Sequence, residues 1–458
     1  MKTAVQFICS LFITGILHAQ DISKKLDDAV KNLEADSQMK SAIIGFYVTD
    51  RNGAVVFDKN STIGLAVASS QKVITSAVSL ELLGTSYRYK TELAYDGKIE
   101  NGALNGNVYI AGYGDPTLGS WRYDNTKEQL VLNKWIQSLK QAGIRQLNGS
   151  VIGYDKKWES QTIPGGWSWD DIGNYYGAGA SALNWRENQY DLKLKSTNKE
   201  GDKVTIISTE PEVYDVSLTN ELTTGRAGSG DNAYIYLPPY ATAGFVRGTI
   251  PPGQSSFTIS GSFPNPALQL TSTFTDELRK QGIVISSNVA NSVKQPLPNR
   301  TTLLTLWSPP LDSINYWFLK KSINLYGEAL VKTIGYEKKN KGVTEAGLSI
   351  IKSFWKDNGI EPTSINMIDG SGLSPGNRIT AEALVRVMQY ARSKPWFSSF
   401  YNALPEINGI KMKSGSMGGV RSFTGYVGNY AFAIAVNNYN GSSAEIVRKM
   451  YRLLDVLN

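Results

Sequence analysis

The chain carries one histidine, His18, and one cysteine, Cys9, and both fall within its first nineteen residues. From residue 20 onward neither side chain occurs. That absence excludes a Ser-His-Asp triad, a Cys-His nucleophile, a His-ligated catalytic zinc and a thiolate metal cluster. A hydrolase built from this sequence must take its base from Lys, Asp, Glu or Tyr, and no metal or cofactor is expected. Long runs of one charge are also missing. The net charge of +7 is spread along the chain, and short clusters such as Lys320-Lys321 and residues 338–341 read as solvated faces. With no basic stripe and no recognisable module, nucleic acid is not an expected partner. A mild attraction to an anionic polymer outside the cell membrane is compatible with this charge.

No stretch after the N-terminus reaches the roughly 20 apolar residues of a membrane-spanning helix. The N-terminus itself reads as a secretory leader over residues 1–19. Lys2 gives a positive start, residues 7–17 are mostly apolar, and Leu17-His18-Ala19 resembles a cleavage site before Gln20. Cys9 sits mid-run, so a lipid-anchored terminus is not expected. The expectation is an exported protein, periplasmic or extracellular, soluble after cleavage and at most peripherally associated with membrane. Its self-association is open.

About 440 remaining residues exceed what one hydrophobic core supports. Residues 21–36 carry Ile22, Leu26, Ala29, Val30 and Leu33 at helical period. Residues 41–50 and 53–58 are β-rich and meet at Arg51-Asn52-Gly53, a hairpin signal. Residues 69–83 predict a buried helix closed by Gly84. From about Tyr87 to residue 290, short β-like runs alternate with Gly, Asn and Pro turns, with helical stretches at 130–141 and 276–280. Residues 295–300 look like a return linker. Helices are predicted over 311–334, 344–357, 380–391 and 442–457, the last amphipathic and expected to pack on a preceding sheet. The layout is one α/β unit built from both chain ends, over residues 20–90 and 291–458. Between them lies a β-rich insertion, residues 91–290, expected as two subdomains.

Three elements can carry chemistry. Ser69 and Lys72 stand three apart at a helix start and share a face. A desolvated lysine amine beside a serine hydroxyl can accept its proton. The spacing alone does not discriminate, because Ser37/Lys40, Ser196/Lys199, Ser349/Lys352 and Ser353/Lys356 repeat it. Lys413-Ser414-Gly415 lies on a predicted strand edge, where an ammonium, a hydroxyl and a close-approach glycine suit an extended substrate ending in a carboxylate. The plain alternative is a solvated lysine before a glycine bend. Ser322-Ile323-Asn324 places a hydroxyl and an amide two apart, but Ser313/Asn315 and Ser364/Asn366 do the same.

Together, in this order, these elements resemble the penicillin-recognising serine D-Ala-D-Ala peptidases. The similarity is to the low-molecular-mass class C group, the penicillin-binding protein 4-like carboxypeptidase/endopeptidases of peptidase family S13. It extends to "ASSQKVITSAVSLELLG", "GYGDPTL", "PGGWSWDD", "SALNWREN", "SINLYGEAL", "DGSGLSPGN" and "MKSGSMGGV", covering about residues 68–420. The interval of 253 residues from Ser69 to Ser322 leaves room for inserted domains. The resemblance implies a β-lactamase/transpeptidase-like α/β domain, an antiparallel sheet flanked by helices, interrupted by β-rich inserted domains.

It also implies roles. Ser69 would be acylated, with Lys72 as its base and Ser322 as proton relay. Asn324, Lys413, Ser414 and Gly415 would bind substrate, and the backbone N–H groups of Ser69 and Ser416 would form the oxyanion hole. Ser414 stands where the family usually has Thr, and Val67-Ala68 where it usually has Pro-Ala. Implied partners are peptidoglycan stem peptides and muropeptides, with β-lactams as covalent inhibitors. The rivals are a β-lactamase or esterase of the same superfamily, and an inert cell-wall-binding protein.

Overall fold

The structure, a computed structural model, describes residues 21–286, 290–292 and 299–458. The predicted leader, with Cys9 and His18, lies outside the described residues, as does most of the stretch 295–300. The chain divides into two units. One runs through Leu82 and adds Asn315–Ser322 and Leu348–Asn458; the other comprises Leu83–Ile314 and Ile323–Gly347.

The first unit is organised by six strands: β1 (Ile43–Thr49), β2 (Val55–Lys59), β3 (Glu406–Ile407), β4 (Ile410–Met417), β5 (Val420–Val427) and β6 (Tyr430–Asn437). They form one antiparallel sheet in the order β2-β1-β6-β5-β4-β3. The two chain ends therefore pair directly, Ile43 opposite Asn437 and Thr49 opposite Ala431. The β1–β2 turn forms where Asp-Arg-Asn-Gly predicts it. The Asp50 carboxylate accepts from the Asn52 and Ala54 N–H groups, and Gly53 takes a φ of +86°.

The helices of this unit include α1 (residues 21–34), α2 (Lys72–Leu83), α3 (Ala381–Arg392) and α4 (Ser443–Asp455). Strand side chains alternate between faces. Phe46, Val48, Met412, Phe423, Phe432 and Ile434 point to one face, where they pack with Leu26 and Val30 of α1 and Ile446, Met450 and Leu454 of α4. Burying each such side chain contributes roughly 1.5–3 kcal/mol. The amphipathic C-terminal helix thus spends its apolar stripe on the sheet. The alternate residues meet α3 on the other face: the Tyr426 hydroxyl donates to the Met388 carbonyl, and Gln389 donates to the Thr49 hydroxyl.

The second unit has two hydrophobic cores. In one, helices Glu128–Gln141 and Pro266–Lys280 cover strands that include Lys90–Tyr95, Val108–Gly112 and Val151–Tyr154, around Trp135, Trp185 and Phe274. The second of these helices starts ten residues before the predicted 276–280. Asn265 caps it by accepting from the Leu268 N–H, and Pro266 occupies its first turn. In the other core, two three-stranded sheets enclose Tyr190, Leu192, Ile235 and Val246. Among the described residues no helix is long and apolar enough to cross a membrane.

Candidate active site

The predicted helix over 69–83 is a 3-10 turn, Ala68–Gln71, followed by α2 from Lys72. Ala68, immediately before the candidate nucleophile, has a φ of +45°. A residue with a Cβ resists that conformation at a cost of about 1–2 kcal/mol, and such strain persists only where the surroundings impose it. Here they do. Asn437 bonds both the N–H and the carbonyl of Ala66, at 3.0 and 2.8 Å, and the Ser422 hydroxyl donates to the Val67 carbonyl at 2.5 Å.

The turn leaves Ser69 half-buried with its Oγ 2.9 Å from the Nζ of fully buried Lys72. Lys72 also donates to the Ser371 carbonyl at 2.6 Å. At the four rival Ser-x-x-Lys sites, Lys40, Lys199, Lys352 and Lys356 are all exposed. Burial separates Ser69/Lys72 from them.

Strand β4 brings the third motif to this turn. The Ser70 hydroxyl donates to the Lys413 carbonyl at 3.2 Å and lies 2.8 Å from the Ser422 hydroxyl. A Cβ on Gly415 would stand 2.0 Å from the Val67 carbonyl oxygen and 3.0 Å from the Ser70 nitrogen. Only glycine lets the strand lie this close, and the near neighbour is the chain's own backbone. Lys413 is fully buried and its Nζ donates to the Ser414 carbonyl at 2.8 Å. Ser414 is half-buried on the strand and Ser416 is exposed near its end.

The helix predicted over 311–334 is broken into Leu311–Lys320 and Asn324–Lys339. The break holds Ser322, half-buried with a φ of +58°. The unit boundary falls between Ser322 and Ile323, so Asn324 belongs to the second unit. There it is buried, and its side-chain amide donates to the Tyr176 carbonyl at 2.8 Å. The helix it opens is anchored by Tyr326, whose hydroxyl donates to buried Glu187 at 2.8 Å; Glu187 also accepts from Ser120 and Arg122. The alternative pair Ser313/Asn315 has another use, since Asn315 accepts from the Ser76 hydroxyl in α2 at 2.6 Å.

Residues 26–455 match the D-Ala-D-Ala carboxypeptidase 3 (S13) family. The chain belongs to that family. It is 26% identical to the D-alanyl-D-alanine carboxypeptidase of an Actinomadura species over 449 residues, covering 91% of this chain and 82% of the relative. A D-alanyl-D-alanine carboxypeptidase of Haemophilus influenzae is 23% identical over 429 residues, covering 88% and 87%. The fold matches the crystal structure of penicillin binding protein 4 from Haemophilus influenzae with a TM-score of 0.80 at 20% identity, over 94% of this chain and 99% of that one. A β-lactam complex of that protein matches with a TM-score of 0.74 at 21% identity, over the same shares of the two chains.

The electrostatics of this candidate site centre on Lys413. Burial pushes its ammonium well below the ordinary lysine range, and the positive charge of Lys72 pushes the same way. Among the described residues no carboxylate pairs with Lys413. No group of three or more His, Cys, Asp or Glu among them could hold a metal ion.

One contributor has no role in the sequence reading. The block 369–377 enters the family resemblance without an assigned role, yet its Ser371 carbonyl accepts from Lys72. A backbone carbonyl leaves no trace in residue identity; the sequence signal is an Asp followed by two glycines that bracket a serine, Asp369-Gly370-Ser371-Gly372.

Proposed function

We propose that this D-Ala-D-Ala peptidase works through an acyl-enzyme on Ser69. Neutral Lys72 takes the Ser69 proton as Oγ attacks the carbonyl of the penultimate D-Ala. The backbone N–H groups of Ser69 and Ser416 stabilise the resulting oxyanion, an interaction whose loss typically costs about 3 kcal/mol. Ser322 passes the proton to the leaving amine, so the departing D-Ala carries it away. Asn324 holds the substrate amide, and Lys413 with Ser414 receives the terminal carboxylate. Water then attacks the ester, with Lys72 again as base, and restores Ser69.

The observation that carries this reading is the 2.9 Å approach of Ser69 Oγ to the buried Lys72 amine, in a chain with no imidazole beyond residue 18. Buried without a carboxylate beside it, Lys413 gains its partner when the substrate carboxylate arrives, which favours its charged form. The substrates are stem peptides and muropeptides of peptidoglycan. A terminal D-Ala-D-Ala and a cross-link both place a D-Ala carbonyl at the bond to be cut, so the same site serves trimming and admits cross-link cleavage. The relative's β-lactam complex supports β-lactams as covalent inhibitors here. The leader-like N-terminus supports export to the periplasm or exterior.

Labelling the protein with a tagged penicillin, digesting it and sequencing the adduct by mass spectrometry tests the reading. The tag is expected on the Ser69 peptide and absent from Ser69→Ala; a tag on another residue overturns the assignment. Digestion of purified muropeptides should release free D-Ala and convert dimers to monomers.

A further inference from the structure

The segment Asp369-Gly370-Ser371-Gly372-Leu373-Ser374 folds around its own first side chain. The buried Asp369 carboxylate accepts from the Gly372 N–H at 2.7 Å, the Ser374 N–H at 2.6 Å, Asn377 Nδ2 at 3.0 Å and Gln71 Nε2 at 3.2 Å. With the loop wound inward on the carboxylate, three successive carbonyls face the nucleophile helix. Those of Asp369, Gly370 and Ser371 accept from Gln71 Nε2 at 2.7 Å, Thr75 Oγ1 at 2.7 Å and Lys72 Nζ at 2.6 Å. The contact extends to the strained turn. Gly372 has a φ of +82°, and a Cβ there would stand 2.1 Å from the Ala68 carbonyl oxygen. One loop thus grips the backbone just before Ser69 and the amine of Lys72.

We propose that Asp369 is a positioning residue, which holds the Ser371 carbonyl against Lys72 and thereby aims the Lys72 lone pair at the Ser69 hydroxyl. A neutral lysine amine has two N–H bonds and one lone pair in tetrahedral directions. An N–H committed to the Ser371 carbonyl narrows the directions left for the lone pair, and Ser69 Oγ stands in reach at 2.9 Å. Without that acceptor the four-carbon stem is free to rotate. The carbonyl belongs to the backbone and cannot be mutated away, so control of it passes to the side chain that folds the loop.

The inference rests on the acyl-enzyme reading, and the two fail differently. If wild type is not tagged at Ser69, the catalytic reading falls first. Given a wild type tagged at Ser69, kcat and KM for a D-Ala-D-Ala peptide and the rate of penicillin acylation are measured for Asp369→Asn, Asp369→Ala and Asn377→Ala, each alone and combined with Lys72→Met. Asp369→Asn keeps one acceptor oxygen but sets an amide N–H against the Ser374 N–H. It is expected to lose about tenfold in kcat and Asp369→Ala about 100-fold, with KM nearly constant, since a misplacement near 1 Å can cost that much. Asn377→Ala, which removes one donor to Asp369, should fall between wild type and Asp369→Ala. In the Lys72→Met background each change should add little, because the group it positions is gone. Unchanged kcat in folded variants, a raised KM with kcat intact, or an equal further loss without Lys72 each overturns the proposal. Should Asp369→Ala aggregate, the other two variants decide.

Discussion

Two fully buried lysines, one in each unit, are treated in opposite ways. Lys332, in the second unit, donates to the carbonyls of Gln161 and Ala180 and has Glu159 at 3.4 Å. Burial lowers its pKa, but the charges of Glu159 and Glu328 push it back up. Lys413, in the first unit, donates to the Ser414 carbonyl, and the ionisable group beside it is Lys72, whose charged form lowers it further. Desolvation is common to both; the sign of the neighbour differs. Lys332 has its carboxylate within the fold, whereas the proposed role of Lys413 leaves that place to a substrate carboxylate. The difference fits the carboxylate-binding role proposed for Lys413.

The largest expected effect lies beside this comparison, at the base itself. Lys72→Met should reduce penicillin acylation and D-Ala release by about 10³-fold or more, within the range for losing a general base; rates near wild type would remove Lys72 from the mechanism. Next, Lys332→Met should destabilise the protein by about 2–4 kcal/mol in denaturant unfolding, since it strands Glu159 and two buried carbonyls. Lys413→Met should be neutral or stabilising, because it replaces a desolvated amine with no carboxylate beside it by an apolar chain. It should also weaken kcat/KM for D-Ala-D-Ala peptides by about 100-fold. Equal stability losses at the two lysines would break the comparison.

The pH dependence sharpens it. Both pKa values are lower in the folded than in the unfolded chain, so the unfolded chain binds more protons and stability rises with pH below the ordinary lysine value of 10.5. That contribution is lost as pH falls through the folded-state value. Unfolding series between neutral pH and pH 10 should show a rise that Lys413→Met flattens more than Lys332→Met does. Smallest of all, Ser414→Thr should change kcat/KM by less than about threefold, because the hydroxyl is kept and only its rotamers are restricted.

Much of the first unit was legible in local signals. The Asp-Arg-Asn-Gly turn and the amphipathic C-terminal helix, with Ile446, Met450, Leu453 and Leu454 on one stripe, each carry their cap or period in a few adjacent residues. The misses share one physical origin. The helix over 311–334 has continuous helical propensity, yet it breaks at Ser322, which takes a left-handed conformation that propensity does not foresee. Residues 69–83 likewise read as one helix, and the 3-10 entry follows from bonds made by Asn437 and Ser422, more than 350 positions away. The helix from Pro266 carries its start signal in Asn265-Pro266, ten residues before the predicted 276–280.

By itself the sequence determined that chemistry beyond residue 20 runs without imidazole or thiol, and it ordered the three motifs that point to a serine acyl-enzyme. Which of five Ser-x-x-Lys pairs is buried, and that a backbone carbonyl of Ser371 meets the chosen lysine, only the tertiary structure decided. Burial and carbonyl direction depend on chain segments hundreds of residues apart, and neither is a property of residue type.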